Sequence, residues 1–286
     1  MPIPYSNPKA RLISAALFAA CAGSAAILIA VLALVLWYLA SIGIGAITTS
    51  FFTDLPTGDL ANPGGMRHAI LGTIILLALA SAVGIPLGIG AGIYLCEYSS
   101  RGYLGTLVRF TADVLAGVPS IVVGILGYEL LVVPMGNFNG YAGAAALAFI
   151  MIPIVARTTE EMLRLVPHNY REGSLALGAS RSQTILRVIL PSATGSLITG
   201  VMLAIARVAG ETAPLLFTAL GSRLLATDLS QPFPALTLQI YTYATGPYPE
   251  QKRLAWAGIL VLIVLILVLN LAVRLVVART TRVVGS

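Results

Sequence analysis

Six long apolar runs divide the chain, at about 12–42, 69–96, 107–133, 141–163, 193–218 and 255–279, and charges, prolines and glycines collect between them. An apolar helix needs about 20 residues to cross the hydrocarbon core of a bilayer. Lipid offers no partner to an open backbone group, so each run predicts a transmembrane helix. The fold class is therefore all-α and integral to the membrane, with six transmembrane helices in a single domain over 1–286. Gly84, Pro86, Gly88, Gly90, Gly117, Pro119 and Pro153 fall inside the runs. Small residues let helices approach closely, and prolines bend them.

The stretches between the runs differ in character. The segment at about 43–68 is rich in turn formers, with Asp54, Pro56, Gly58, Asp59, Pro63, Gly64 and Gly65. A short turn, Gly136-Asn137-Phe138-Asn139-Gly140, joins the third and fourth runs. The segment at about 219–254 carries Pro232, Pro234, Pro247 and Pro249 with Tyr241, Tyr243 and Tyr248. It reads equally well as a docking surface for an outside partner and as a set of interfacial anchors. No internal repeat is visible. Helices two to five are expected to form the compact core.

Composition supports the membrane reading and charge adds a topology. The 286 residues are 58% hydrophobic and 10% charged, against about 25% charged in a soluble domain. The net charge of +6 is no nucleic-acid signature here, because its distribution tracks the loops. With the N-terminus inside, twelve of the 17 cations, among them Lys9, Arg11, Arg101, Arg171 and Arg274, lie on the cytoplasmic side. Arg67, Arg223, Lys252 and Arg253 lie outside, and Arg207 lies within a span. That distribution obeys the positive-inside rule and places both termini and the 157–191 loop in the cytoplasm. The first run is too long for a signal-peptide core and lacks a cleavage site, so it is expected to be retained. Cys21 and Cys96 are expected to be buried packing residues rather than a disulfide framework.

One polar insert stands out, Glu172 to Pro191, EGSLALGASRSQTILRVILP, with cations at Arg171, Arg181 and Arg187. A short amphipathic helix-turn-helix on the cytoplasmic side suits docking to a soluble partner. It resembles the cytoplasmic loop of ABC-importer permeases, whose pattern is Glu-Ala-Ala, three residues, Gly, nine residues, then Ile-x-Leu-Pro. Glu172, Gly178, Leu190 and Pro191 match in register, with Ala179 after the glycine. Gly173 and Ser174 replace the two alanines, and Val188 replaces the isoleucine. The resemblance implies an importer-permease fold of type I, with these residues forming the coupling loop to an ATPase.

Four ionisable residues, Asp113, Glu129, Arg207 and Glu211, fall inside apolar runs. A charge at the centre of a membrane helix costs about 2.5–3.5 kcal/mol on insertion scales, so each needs a partner or water. Arg207 and Glu211 are four apart and are expected on one helix face. Arginine is always protonated and offers a planar fork of donors to an oxyanion. Glu211 could tether that fork between transits; the competing reading is a structural ion pair that glues helices. The surrounding AIARVAGETAPLLFTALG resembles the Arg-Ala-x-Gly-Glu-Thr segment of phosphate-transporter permeases, with Arg207, Gly210, Glu211 and Thr212 matching and Val208-Ala209 permuted. A second segment, DVLAGVPSIVVG at Asp113–Gly124, resembles the Gly-Val-Pro-Ser-Ile-Val-x-Gly stretch of the same family. Pro119 is expected to break the third helix there. Ser120 is expected to cap the helical segment after the break and turn backbone N–H groups towards an anion.

Over about 68–280 the chain is similar to the A-type permease subunits of phosphate-specific ABC importers, the helix at about 12–42 being an addition to that core. The resemblance implies import of inorganic phosphate across a bacterial or archaeal inner membrane, with Arg207, Glu211, Thr212 and Ser120 along the substrate pathway. It also implies a sister permease in a heterodimer, a cytoplasmic ATPase dimer using ATP and Mg, and an extracytoplasmic phosphate-binding protein. Arg207 alone does not separate phosphate from sulfate, molybdate or tungstate.

The chain has no Gly-x-x-x-x-Gly-Lys-[Ser/Thr] sequence, and its two lysines, Lys9 and Lys252, lack that glycine-rich context. It is therefore not expected to be an enzyme or to hold a cofactor of its own. His68 and His168 fall in loops on opposite sides, which offers neither a metal cluster nor a serine–histidine pair at depth. A proton-coupled carrier using Arg207 and Glu211 is the alternative, and the docking insert argues against it.

Overall fold

The computed structural model describes residues 8–59, 63–99, 102–225 and 227–284. The described residues form thirteen helices: α1 Pro8–Gly43, α2 Thr49–Thr53, α3 Arg67–Ile93, α4 Tyr103–Gly117, α5 Ser120–Gly127, α6 Val133–Met135, α7 Gly140–Arg164, α8 His168–Ala176, α9 Arg181–Thr184, α10 Leu190–Ala209, α11 Ala213–Thr218, α12 Leu236–Thr245 and α13 Pro249–Val284. Single π-turns at Tyr94–Tyr98, Tyr128–Val132 and Ile185–Ile189 extend α3, join α5 to α6, and join α9 to α10. Five helices are long and apolar enough to cross a bilayer, and α4 with α5–α6 makes a sixth if that pair, bent by 101°, counts as one span.

The crossing of α3 and α7 is the spine of the bundle, and glycines set its distance. A Cβ on Gly88 would stand 2.6 Å from Val155 Cβ, and one on Gly92 would stand 2.5 Å from Thr159 Cβ. Gly84 meets Met151 in the same way, so 84, 88 and 92 form one helical stripe. Gly90, which the sequence groups with them, has nothing within 4 Å and plays no part in the contact. Leu76, Ala80, Leu147, Met151, Val155, Ala204 and Val208 fill the core where α10 joins the pair. The first helix lies apart from this core: α1 is exposed over most of its length and packs on α13, with Tyr38 edge-on to Trp256 at 5.7 Å.

The structure departs from the hydropathy reading in three places. The run expected at 193–218 is not one helix. A helical segment begins as early as Arg181, runs to Ala209, and stops. Pro191 does not end the polar insert; the π-turn Ile185–Ile189 absorbs its missing N–H, with Leu190 N donating to Ile185 O, and the helix continues. The segment at 219–254, expected as a loop, contains α12, folded back on α13 and α3. Leu236 N donates to Thr73 Oγ1 at 2.7 Å, and Tyr243 is buried while Tyr241 and Tyr248 are not. Ten residues cannot span a bilayer, so hydropathy passes over this helix. Third, Cys21 is exposed on α1 and Cys96 is half-buried; both are free thiols. Both chain ends and Arg101 lie outside the described residues, so the topology expected for them is untouched by the structure.

Candidate functional site: a cavity between two broken helices

Two helix breaks face one another in the bundle. At the first, α4 ends at Gly117, and Val118 and Pro119 take extended backbone (ψ 131° and 132°) before α5 begins. Pro119 has no N–H to give, and it drives the preceding residue out of helical geometry. The residue at the N-cap is Pro119, so Ser120 is the first residue of α5 and does not cap it, contrary to expectation. Val122 N donates to Pro119 O at 2.9 Å, which leaves the N–H groups of Ser120 and Ile121 open at the helix start.

At the second break α10 ends at Ala209, with Gly210 at its C-cap, and α11 starts at Ala213 with Pro214 in its first turn. A continuous helix would need a donor at Pro214 for the carbonyl of Gly210, and proline has none. Arg207 therefore sits in the last turn of α10, while Glu211 lies beyond the helix end, and the two do not share a helix face. Thr237 Oγ1 on α12 donates to Glu211 O at 3.0 Å and pins the break. Thr212 is the N-cap residue of α11, with no side-chain cap bond.

Between the breaks lies a cavity of about 280 Å³, lined by Gly117, Val118, Pro119, Ser120, Val123, Ile150, Ile154, Arg207 and Glu211 among others. One water needs roughly 10–15 Å³ on this measure, so the space is ample for a hydrated anion. The structure thus brings together three of the expected pathway residues, Ser120, Arg207 and Glu211, and places Thr212 beside them rather than in the lining. Arg207 is exposed and Glu211 half-buried. No contact within 4 Å joins their charged atoms, and among the described residues the Arg207 side chain has neither ion pair nor hydrogen bond. The pairing assumed by both the tether and the glue readings is not made. A helix C-terminus favours a cation by its dipole, and Arg207 lies in that last turn.

The polar insert has the expected turn. Gly178 takes φ +86°, the left-handed region, after α8. Ala179 N donates to Ser174 O at 3.2 Å and Gly178 N to Leu175 O at 3.0 Å, the Schellman closure of a helix. Ser180 then caps α9 in a capping box with Gln183. Leu177, 90% exposed, projects at the turn, with Tyr170 and Leu175 also open. Glu172 is exposed and stands 3.7 Å from His168 Nδ1. Leu190 and Pro191 lie where the segment enters α10.

The model of the family described as binding-protein-dependent transport system inner membrane component matches residues 84–282. The chain belongs to this family. Among relatives, it is 43% identical over 237 residues to the phosphate transport system permease protein PstA of Yersinia pestis, covering 83% of this chain and 80% of that protein. It is 41% identical over 219 residues to a probable PstA of Methanocaldococcus jannaschii, covering 76% of this chain and 77% of that one. Two solved structures share the fold. The MetNI methionine ABC transporter in an inward-facing conformation has a TM-score of 0.58 at 19% identity, covering 77% of this chain and 94% of that chain. A bacterial ABC transporter that imports the acidic polysaccharide alginate has a TM-score of 0.56 at 14% identity, covering 77% and 79%.

The bundle also contains a charge cluster that the sequence reading passes over. Glu160, 1% exposed on α7, accepts from Arg109 Nε at 2.6 Å, Arg157 Nη1 at 2.8 Å and Arg164 Nη2 at 2.6 Å. Arg157 also reaches Asp113 at 2.8 Å, and Arg109 donates to Leu95 O and Ser99 O. Asp113 is thereby accounted for as a partner of Arg157, whereas Glu129 is exposed on the π-turn after α5. The spacing Arg157, Glu160, Arg164 on one helix face is the signal available in the sequence. A second pair joins α8 to the end of α3: Arg171 donates to Glu97 and to Val166 O and Leu163 O. The Glu97 carboxylate pushes the Arg171 guanidinium above its ordinary range, so it stays charged.

Proposed function

We propose that this chain is the membrane-spanning permease subunit of an ATP-driven importer that carries inorganic phosphate into the cytoplasm. The observation that carries the reading is Arg207, unpaired among the described residues, in a cavity between two broken helices of a chain whose relatives are phosphate transport permeases. Arg207 is a transient station for the anion. Its fork of donors meets two phosphate oxygens, the open N–H groups at Ser120 add polar contacts, and Glu211 opposes binding tight enough to prevent release. With no described side chain competing for them, the donors of Arg207 are available for this.

The energy comes from a partner. The exposed Leu177 and Tyr170 about the Gly178 turn supply an apolar anchor for a groove on an ATPase subunit, which holds ATP and Mg. A sister permease completes the pathway in a heterodimer, and an extracytoplasmic binding protein delivers phosphate at the opposite face. Both termini and the α8–α9 turn face the cytoplasm. A cysteine in place of the exposed Ser182 should be labelled from the cytoplasmic side alone; labelling from outside intact cells would reverse the topology.

The test of the whole reading is uptake of radiolabelled phosphate in cells lacking their own high-affinity importer. The chain is co-expressed with its sister permease, ATPase and binding protein. Phosphate uptake that excess sulfate, molybdate and tungstate leave unchanged is expected. Uptake of one of those anions in place of phosphate would replace the substrate assignment.

A further inference from the structure

A second cavity, about 720 Å³, opens at the α8–α9 end of the bundle, away from the Arg207 site. Four elements wall it: Glu97 on the π-turn after α3, Arg164 at the end of α7, His168 and Arg171 on α8, and Arg181 on α9. These residues have different freedom. Arg171 is part of the wall, its donors occupied by Glu97, Val166 O and Leu163 O. Arg164 gives Nη2 to Glu160 and remains 55% exposed. Arg181 is exposed, and among the described residues its side chain has neither ion pair nor hydrogen bond. His168 stands near Glu172 at 3.7 Å.

The lining thus holds three arginines against one carboxylate, Glu97, and that carboxylate is engaged by Arg171. Glu160, behind Arg164, is shared with Arg109 and Arg157 and cannot neutralise Arg164 alone. Positive charge is left in excess around a concave space. Guanidinium groups favour phosphate oxygens through paired, charge-assisted hydrogen bonds. Basic pockets between the ends of membrane helices bind phosphate-bearing headgroups by this chemistry.

We propose that this cavity is a second anion site that binds a phosphate group, with Arg164 and Arg181 as its cationic ligands. The group is carried either by inorganic phosphate or by the headgroup of an anionic phospholipid. Because Arg164 closes α7 and Arg181 opens α9, an anion held by both spans the two sides of the α8 turn and braces it. The site does not depend on which anion passes Arg207.

The experiment uses the full-length chain with its sister permease and nucleotide-free ATPase in nanodiscs, without the phosphate-binding protein, in an Arg207→Gln background so that binding at the first cavity does not contribute. In phosphatidylcholine, the affinity for inorganic phosphate is measured with and without Arg181→Gln. In phosphatidylglycerol, native mass spectrometry counts lipids retained by the same two proteins. Phosphate binding weakened at least tenfold by Arg181→Gln identifies free phosphate as the occupant. A retained phosphatidylglycerol that Arg181→Gln releases identifies the headgroup. If neither ligand binds, or if both bind equally well to Arg181→Gln and to the charge-reversed Arg181→Glu, the site does not exist.

Discussion

Arg171 reaches from α8 to Glu97 at the end of α3, with Nη2 2.6 Å from Glu97 Oε1 and Nε 3.1 Å from the same oxygen. Both side chains are more than four-fifths buried. The pair ties α8 to the end of the long helix that also carries the glycine stripe. Arg171→Gln leaves Glu97 without its cation and is expected to destabilise the protein by about 3 kcal/mol. The double change Arg171→Gln/Glu97→Gln should recover most of it. Thermal unfolding of the solubilised protein measures both.

Glu160 is expected to be no more tolerant. Glu160→Gln removes the one carboxylate shared by Arg109, Arg157 and Arg164. Arg109, 18% exposed, then loses its only carboxylate partner among the described residues, while Arg157 keeps Asp113 and Arg164, 55% exposed, turns to solvent. A loss of about 3 kcal/mol, mostly from Arg109, is expected, seen as a fall in the yield of folded protein. Asp113→Asn is the control: Asp113 is 56% exposed, and its pair with Arg157 should be worth no more than about 1 kcal/mol.

Gly88 and Gly90 separate contact from composition. Gly88→Ala places a methyl 2.6 Å from Val155 Cβ and 3.0 Å from Ile152 O, so α3 and α7 must part. A clear fall in thermal stability is expected. Gly90→Ala meets nothing within 4 Å and should be neutral or slightly stabilising, since alanine is the better helix former. Equal effects from the two would show that the glycine stripe does not set the spacing of the spine.

Gly178 is constrained by its backbone and not by space. Its φ of +86° costs an L-residue about 1–2 kcal/mol, and nothing lies within 4 Å of a Cβ placed there. Gly178→Asn should be milder than Gly178→Ala. Gly178→Trp fits the isolated chain but not a groove closed over the turn. It should uncouple ATP hydrolysis from uptake, or block assembly, while the membrane helices still insert. Normal uptake by Gly178→Trp would remove the docking role.

The long apolar runs announce the membrane helices because lipid imposes one rule on every backbone group. The turn at Gly178 is legible for a similar reason: a glycine before Ala179-Ser180, with Gln183 to complete a capping box, has few other uses. The break at Gly210–Thr212 is not legible in the same way, although Pro214 marks it. Apolar flanks on both sides hide a helix end from any hydropathy window. Helix α12 escapes notice because ten residues bounded by Pro234 and Gly246 look like loop until α3 and α13 are there to cover them. The Glu160 cluster escapes it because two of its members, Arg109 and Asp113, come from another helix. At the site itself, the residues are legible and their relation is not: four-residue spacing puts Arg207 and Glu211 on one helix face, and the helix stops between them.

The central claim is that Arg207 serves the anion and not the fold. Uptake of radiolabelled phosphate by the Arg207→Gln/Glu211→Gln double variant, at matched levels of assembled complex, tests it most directly. Because no contact joins the two side chains, neither single change should reduce the yield of complex. Uptake is expected to fall at least tenfold in both Arg207→Gln and the double variant, with assembly unchanged. Uptake near that of the parent protein by the well-assembled double variant would contradict the claim and make the two charges structural.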